Sequence, residues 1–279
     1  MKNSTGKRGR PFCWGILLVF LLNYAPAFSK ISTTSDVRVS SMVPVSPVFV
    51  GLDTNPLLRL AVHLPAGKQI NFRSIQSRLN ETAVNDIEKL EVFYTGSEPM
   101  FLPDKAAATV KPASTAVNIP INITLEAGMH FFWISATLKA SADIDNTIQF
   151  VAARMTDDQG GSYAVTGEKA APPRRMGVAV RKAGEDGVDT YRIPGIATTD
   201  KGTLIAVYDI RYDNPRDLPG NIDVGMSRST DGGRTWEPMQ IIMDMGAPHE
   251  NNGVGDPAVL FDHATGKIWV AALWSKGNR

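Results

Sequence analysis

The chain has 279 residues, of which 43% are hydrophobic and 20% are charged, with a formal net charge of +1. This composition is ordinary for a globular protein of one or two domains, and the near-neutral charge gives no support for nucleic acid or a membrane surface as a partner. The 18 prolines and 24 glycines favour many strands joined by turns over long helices.

Residues 1–29 have the pattern of a secretion signal. Four basic residues precede an apolar run at 12–22, and Ala27 and Ser29 supply small residues for cleavage. The apolar run is shorter than the ~20 residues that a membrane span needs, so a short membrane anchor is the less favoured interpretation. We therefore expect an exported protein, located in the periplasm, on the cell surface or in the medium, with no membrane span in the mature chain. Its only cysteine, Cys13, lies in the signal, which leaves no disulfide.

Short strands separated by turn residues dominate the next part of the chain. We interpret residues 30–46 as a flexible lead-in and residues 47–165 as a β-sandwich domain, because no helical pattern of convincing length occurs there. The candidate strands are 48–52, 57–64, 89–94, 119–125, 130–138 and 147–155.

Two aromatic residues of the fifth candidate strand, Phe131 and Trp133, fall on one face of it. Exposed aromatic rings on a sandwich can stack on sugars, so this face is a possible carbohydrate-binding site. The interpretation that we favour is that the pair packs against a second sheet or against the following domain.

Residues 166–175 form a predicted linker, since two adjacent prolines stiffen it and exclude helix. A strand at 176–181 follows. Four strands are then predicted at 191–198, 203–210, 223–229 and 239–243, and two more at 258–261 and 268–274.

The third and fourth of these strands are joined by a turn that contains Ser229, Asp231, Gly233, Thr235 and Trp236. The short polar side chains can bond the turn backbone, glycine permits positive φ, and tryptophan can pack back between strands. The pattern thus predicts a folding staple and not a reactive site.

This turn fits the S-x-D-x-G-x-T-W pattern and resembles the Asp box, or BNR repeat, of bacterial and animal sialidases. The Arg192-Ile193-Pro194 run, Arg211 and Asp217 resemble the same family in order and spacing. The resemblance implies an all-β protein, in which a β-sandwich precedes a six-bladed β-propeller. The strand at 176–181 would join the final blade. Residues 176–279 suffice for one to two blades, so we expect an incomplete propeller whose remaining blades lie beyond Arg279.

The resemblance also assigns roles to individual residues. Arg192 would be the first of three arginines that bind the substrate carboxylate, Arg211 would line the same pocket, and Asp256 would meet a hydroxyl of the sugar ring. Asp217 would be the general acid/base, for which we expect a raised pKa. The family's tyrosine nucleophile and its glutamate would lie beyond Arg279.

Several alternatives remain open at this level. Asp213 and Asp223 are competing candidates for the acid, and Arg211 can instead form a structural pair with Asp209 or Asp213. We expect no cofactor and no metal site.

The function implied is a retaining exo-α-sialidase, a glycoside hydrolase that acts on sialylated glycoproteins, glycolipids or oligosaccharides, with no nucleic-acid partner. Trans-sialidases and intramolecular lyases share these motifs. The alternatives from other classes are a non-catalytic carbohydrate-binding propeller and an inactive sialidase fragment.

Overall fold

Strands make up most of this computed structural model, which describes residues 36–167, 172–246 and 252–277. The predicted signal at 1–29 lies outside these ranges, as does part of the predicted linker. All of the described residues belong to one compact unit. The described part contains one short α-helix, and none of its helices is long and apolar enough to cross a membrane.

The first half of the structure contains α1 (Glu81–Asp86) and the strands β1 (Arg38–Met42), β2 (Val48–Val50), β3 (Asn55–Leu64), β4 (Ile70–Leu79), β5 (Ile87–Tyr94), β6 (Ala108–Val110), β7 (Ala116–Leu125), β8 (Gly128–Leu138), β9 (Thr147–Ile148), β10 (Phe150–Asp157), β11 (Ser162–Gly167) and β12 (Arg174–Val178). The second half contains β13 (Thr190–Thr198), β14 (Leu204–Arg211), β15 (Ile222–Ser229), β16 (Gln240–Met243), β17 (Gly253–Asp262) and β18 (Lys267–Ser275).

Nine strands of the first half form one sheet in the order β6-β5-β8-β3-β1-β11-β10-β4-β7. The edge strands β6 and β7 approach each other, so the sheet wraps almost closed around a single apolar core. Alternate residues of β3, such as Leu58, Leu60 and Val62, are buried in that core. Each fully buried leucine or valine contributes roughly 1.5–3 kcal/mol, and this burial holds the sheet closed.

The flexible lead-in predicted at 30–46 is wrong for residues 38–42, which form β1 in the middle of this sheet. Val39 pairs with Val62 of β3 on one side and, in parallel, with Val165 of β11 on the other. Val39 is the one fully inward residue of β1, so the strand has too few apolar positions to show a pattern in the sequence.

The predicted linker at 166–175 is also corrected at its end, because Arg174 already lies in β12. This strand pairs with β2 and β9, whereas we expected the strand that follows the linker to join a final propeller blade. The Arg174 guanidinium donates to the carbonyl oxygens of Ser46 and Pro56 at 3.2 and 3.0 Å, and burial lowers its pKa to about 10. Arg174 therefore fixes the exit of the chain from the first half.

Trp133 is buried, as the packing interpretation predicts, but its partners differ from those we expected. Phe101, from the segment between β5 and β6, lies 5.4 Å from Trp133 between ring centroids. The guanidinium of Arg59 stands 5.3 Å from the centroid of Phe131 and 5.9 Å from that of Trp133. A loop and an arginine thus cover the pair, in place of a second sheet or the following domain.

The four-stranded sheet of the second half has the chain-order arrangement β13-β14-β15-β16, as predicted for a propeller blade, and β17 pairs with β18 in a separate sheet. Arg181 ties the preceding segment to the four-stranded sheet. Its Nε donates to the Tyr208 hydroxyl and its Nη2 to the Ser227 hydroxyl, both at 3.0 Å. These bonds fix the point at which the chain enters the sheet.

The turn between β15 and β16 contains the bonds predicted for a staple. Asp231 accepts from the Thr235 amide at 3.0 Å and the Thr235 hydroxyl at 2.6 Å, and the Ser229 hydroxyl accepts from the Gly233 amide at 2.9 Å. Gly233 has φ +87, which a residue with a Cβ adopts only with strain. The Trp236 indole closes the turn on the Gly233 carbonyl.

Asp231 should make stability depend on pH in the acid range. Hydrogen bonds, first from the Thr235 hydroxyl, lower the pKa of Asp231 to about 2, against about 3.9 in an unfolded chain. A lowered folded-state pKa stabilises the protein above about pH 4 and loses that effect as the pH falls towards 2. The difference in thermal midpoint between wild type and Asp231→Asn should therefore shrink between pH 4 and 2. Asp104→Asn, at an exposed position, is the control. A difference in thermal midpoint between wild type and Asp231→Asn that stays constant from pH 4 to pH 2 would contradict the prediction.

Candidate functional site

The residues singled out in the sequence meet at one end of the four-stranded sheet. Arg192 lies near the start of β13, Arg211 ends β14, and Asp217 lies in the loop between β14 and β15. Arg192 pairs with Asp209 in the β13–β14 register. Antiparallel pairing therefore brings the two arginines to the same edge.

Both guanidinium groups converge on the loop that carries Asp217. Asp217 Oδ1 lies 2.8 Å from Arg211 Nη1 and 3.4 Å from Arg192 Nη1. The same two Nη1 atoms donate to the carbonyl oxygen of Pro215, at 2.9 and 3.0 Å respectively. The structure thus brings together three of the four residues predicted to act on substrate.

The two arginines differ sharply in exposure. The side chain of Arg211 is 1% exposed, and its Nε and Nη2 donate to Asp209 Oδ2 at 3.1 and 2.7 Å. Arg192 is 45% exposed and Asp217 is 76% exposed. The sequence left open whether Arg211 pairs with Asp209 or with Asp213, and the structure shows the pair with Asp209. Arg211 is anchored, whereas Arg192 faces solvent and can meet a ligand.

This geometry shifts the pKa values of Arg211 and Asp209. Burial acts to lower the pKa of Arg211, but its hydrogen bonds to Asp209 and Asp217 outweigh burial and raise the pKa. Burial also raises the pKa of Asp209, despite its hydrogen bonds with Arg211 and with the Asp256 amide.

The expectation of a raised pKa for Asp217 is wrong. The hydrogen bond and the charge of Arg211 hold the pKa of this carboxyl below its usual range, and Arg192 adds to the effect. An exposed carboxylate between two cations is favoured in its ionised form. In the free protein, Asp217 is therefore an anion and not a ready proton donor.

The two competing carboxylates lie in other surroundings. Asp223 accepts a hydrogen bond from the Tyr212 hydroxyl at 3.0 Å, and burial raises its pKa. Asp213 faces the side-chain amide of Asn221 at 3.5 Å. Only Asp217, of the three, contacts both arginines, so the geometry favours it as the group that acts with them.

Asp256 enters the site through its backbone. Its amide donates to Asp209 Oδ1 at 2.8 Å, across from β17 to β14. The approach is close, because a Cβ on the neighbouring Gly255 would lie 3.0 Å from that same oxygen. Glycine at 255 thus lets β17 pack directly against Asp209 and brings the backbone of Asp256 to the carboxylate that holds Arg211.

Strained backbone occurs in both β13 and β17, which are the first strands of their respective sheets. Ile193 has φ 53 and Asp256 has φ 55, each precedes a proline, and each lies within a shift of strand register. Positive φ in a β-branched residue is a genuine outlier, and such strain collects at functional sites. The bulges are not evident in the sequence pattern, although a proline after each residue disfavours the ordinary helical conformation there.

Ile193→Gly tests that strain, because glycine adopts positive φ without cost. We expect the free energy of unfolding to stay level or to rise, since relief of about 1–3 kcal/mol of strain opposes the loss of partly exposed apolar surface. Ile196→Gly, in the regular part of β13, should instead destabilise the protein. Urea denaturation of both variants makes the comparison, and an equal loss in both would rule out strain at Ile193.

An open cavity of about 380 Å³ lies beside this cluster, and its lining includes Asp213, Asn214, Arg216, Asp217 and Asn221. Polar groups that surround a concave surface suit a hydroxyl-rich ligand. Within the described residues, no group of three or more His, Cys, Asp or Glu side chains could hold a metal ion.

Residues 35–160 match a family described as the N-terminal domain of BNR-repeat neuraminidase. Over 262 residues the chain is 32% identical to a sialidase of Bacteroides fragilis (strain YCH46), an alignment that covers 83% of this chain and 48% of that protein. The chain is related to the sialidases. The resemblance seen in its motifs is thereby confirmed.

Further sialidases agree with this relationship. A sialidase of Clostridium perfringens is 46% identical over 89 residues, which cover 32% of this chain and 23% of that protein. The solved structure of a Hadza microbial sialidase superposes with a TM-score of 0.71 at 31% identity, over 85% of this chain and 51% of that one. The all-β fold class is confirmed by that structure. The chain spans about half the length of the Bacteroides fragilis sialidase and of the Hadza microbial sialidase.

Proposed function

We propose that the full-length protein is an exo-α-sialidase, which hydrolyses terminal sialic acids from glycoproteins, glycolipids or oligosaccharides with retention of configuration. The observation that carries the proposal is the pairing of a solvent-facing guanidinium, Arg192, with the carboxylate of Asp217 beside a polar cavity. An exported location, as the signal pattern predicts, would give such an enzyme access to these substrates.

Arg192 suits the carboxylate that a sialic acid bears on its anomeric carbon. A guanidinium is planar, permanently charged and able to bind a carboxylate through two parallel hydrogen bonds. Its resting partner, Asp217, is exposed and 3.4 Å away, so a bound substrate carboxylate can replace it at modest cost. Arg211 is held by Asp209 and stays in place as the pocket wall.

Substrate binding also supplies what the free protein lacks, a protonated Asp217. The arginines lower the pKa of Asp217, and a substrate carboxylate on Arg192 would offset part of their charge. The pKa of Asp217 then rises when substrate arrives, which favours protonation near the leaving oxygen. The substrate carboxylate also disfavours an anionic nucleophile, and this accounts for the tyrosine used by sialidases in a retaining mechanism.

The test is release of 4-methylumbelliferone from its sialoside by the full-length protein, together with an Arg192→Lys variant. Lysine keeps the charge but loses the planar fork. Because a charged hydrogen bond contributes roughly 1.5–3 kcal/mol, inhibition constants of planar sialic acid analogues should rise about 10- to 100-fold.

Arg228→Lys is the matched control, since Arg228 is 48% exposed and pairs with Glu237 near the other end of the sheet. An inhibition constant that is unchanged in Arg192→Lys would remove Arg192 from the carboxylate site. Binding of sialosides without turnover in the wild type would favour the non-catalytic, carbohydrate-binding alternative.

A further inference from the structure

The buried carboxylate of Asp209 joins three parts of the site. Oδ2 accepts both the Nε and the Nη2 of Arg211, and Oδ1 accepts the backbone amide of Asp256 from the other sheet. Asp209 also lies opposite Arg192 in the β13–β14 register. The side chain is 1% exposed, so it lies behind the substrate-facing groups and does not reach the cavity.

The bulge in β17 explains why a hydrogen-bond acceptor is required on the Asp256 side. The register shift between Gly255 and Ala258 takes the Asp256 amide out of the β17–β18 ladder. An amide that is partly buried and outside the ladder needs another acceptor, and Asp209 Oδ1 provides it at 2.8 Å. The bulge and its φ of 55 are thereby held in one arrangement.

On the side of the arginines, Asp209 and Asp217 both form ion pairs with Arg211. Two guanidinium nitrogens of Arg211 face Asp209, and the third faces Asp217 at 2.8 Å. The remaining charged groups around the pair are Arg192 on β13 and Asp256 on β17. If Asp209 were neutral, Asp217 would be the sole direct counter-ion of Arg211.

We propose that Asp209 is a positioning residue: its carboxylate fixes Arg211 and the Asp256 backbone, and its charge limits how strongly Arg211 attracts Asp217. Its functional meaning rests on the proposed sialidase activity, whereas the contacts themselves do not. The role differs from simple space filling, because it requires the negative charge and not only the shape of the side chain.

Asp209→Asn separates charge from shape. The amide oxygen can still accept the Asp256 amide, while the negative charge that faces Arg211 is lost. Carbon-13 NMR titration of aspartate carboxyls, with Asp217 assigned through Asp217→Asn, should show Asp217 titrating at lower pH in Asp209→Asn than in the wild type. Asp209→Glu keeps the charge and should leave the titration of Asp217 closer to that of the wild type.

Two outcomes would overturn the proposal. An unchanged titration of Asp217 would show that the charge of Asp209 does not act on it, and a shift to higher pH would show that Asp209 merely keeps the loop in shape. The titration of Asp217 does not depend on turnover, so failure of this proposal is distinguishable from failure of the sialidase assignment.

A measurement on the wild type covers the case in which Asp209→Asn does not fold. The amide proton of Asp256 should shift as Asp209 ionises, over a pH range above that of Asp217, because burial raises one pKa and Arg211 lowers the other. An Asp256 amide signal that follows Asp217, or that does not respond to pH, would contradict the bridging role.

Discussion

Arg211→Met should lower the free energy of unfolding by about 3–5 kcal/mol, the usual loss when one partner of a buried ion pair is removed. Methionine fills much of the same space, but it leaves the carboxylate of Asp209 buried without a cation. Urea denaturation of the folded protein measures the effect. The loss arises from Asp209, since Asp217 is solvent-exposed and gains water in place of the guanidinium.

Arg192→Met is the matched control for this prediction. Arg192 contacts the same Asp217 and the same Pro215 carbonyl as Arg211, but it is 45% exposed. Exposed ion pairs contribute about 0–1 kcal/mol, so this variant should unfold almost as the wild type does. Equal losses in the two variants would show that burial of the Arg211–Asp209 pair is not what stabilises this edge of the sheet.

Asp217→Asn should lower kcat/KM of the full-length protein on sialyllactose by about 10²–10⁴-fold, the typical contribution of a general acid. The leaving group of a natural sialoside would be an alkoxide, so its departure needs a proton from the general acid. Aryl sialosides with an acidic phenol leave as stabilised phenolates, so their turnover should fall far less, provided that glycosyl transfer limits the rate. Measurement of kcat/KM for both substrates, on one preparation of each enzyme, tests this prediction.

Asp200→Asn serves as the control, because Asp200 lies in the turn between β13 and β14, at the other end of the sheet, where it pairs with His263. This variant should leave both rates close to those of the wild type. An equal loss of both substrates in Asp217→Asn would indicate damaged binding or folding. Asp223, buried beside Tyr212, would then be the better candidate for the acid.

Patterns that depend on neighbouring residues were predictable from the sequence. The strands of the four-stranded sheet pair in chain order, and the staple between β15 and β16 is closed by bonds between residues two to four apart. Arg192 and Arg211 were singled out because their motif spacing is local. Their convergence on Asp217 follows from antiparallel pairing of adjacent strands.

Features that depend on distant partners were not predictable. β4 was missed because Ser74 and Ser77 are buried in it, where the Ser74 hydroxyl bonds Thr156 and the Ser77 hydroxyl donates to the Val117 carbonyl. These partners lie 82 and 40 residues away, so the sequence shows only polar residues that break an apolar alternation. The lowered pKa of Asp217 likewise arises from how closely Arg211 approaches it, which spacing alone does not indicate.

The central position of β1 has a consequence for the order in which the chain folds. Thr166 of β11 donates its hydroxyl to the Val39 carbonyl from 127 residues further along the chain. Contacts of such separation form late, because the entropy of closing the loop must be lost before they stabilise anything. During synthesis, β1 stays without its β11 partner until nearly the whole first half has emerged. The edge of β1 that later pairs with β11 is then an unpaired strand edge, and such edges are prone to aggregation.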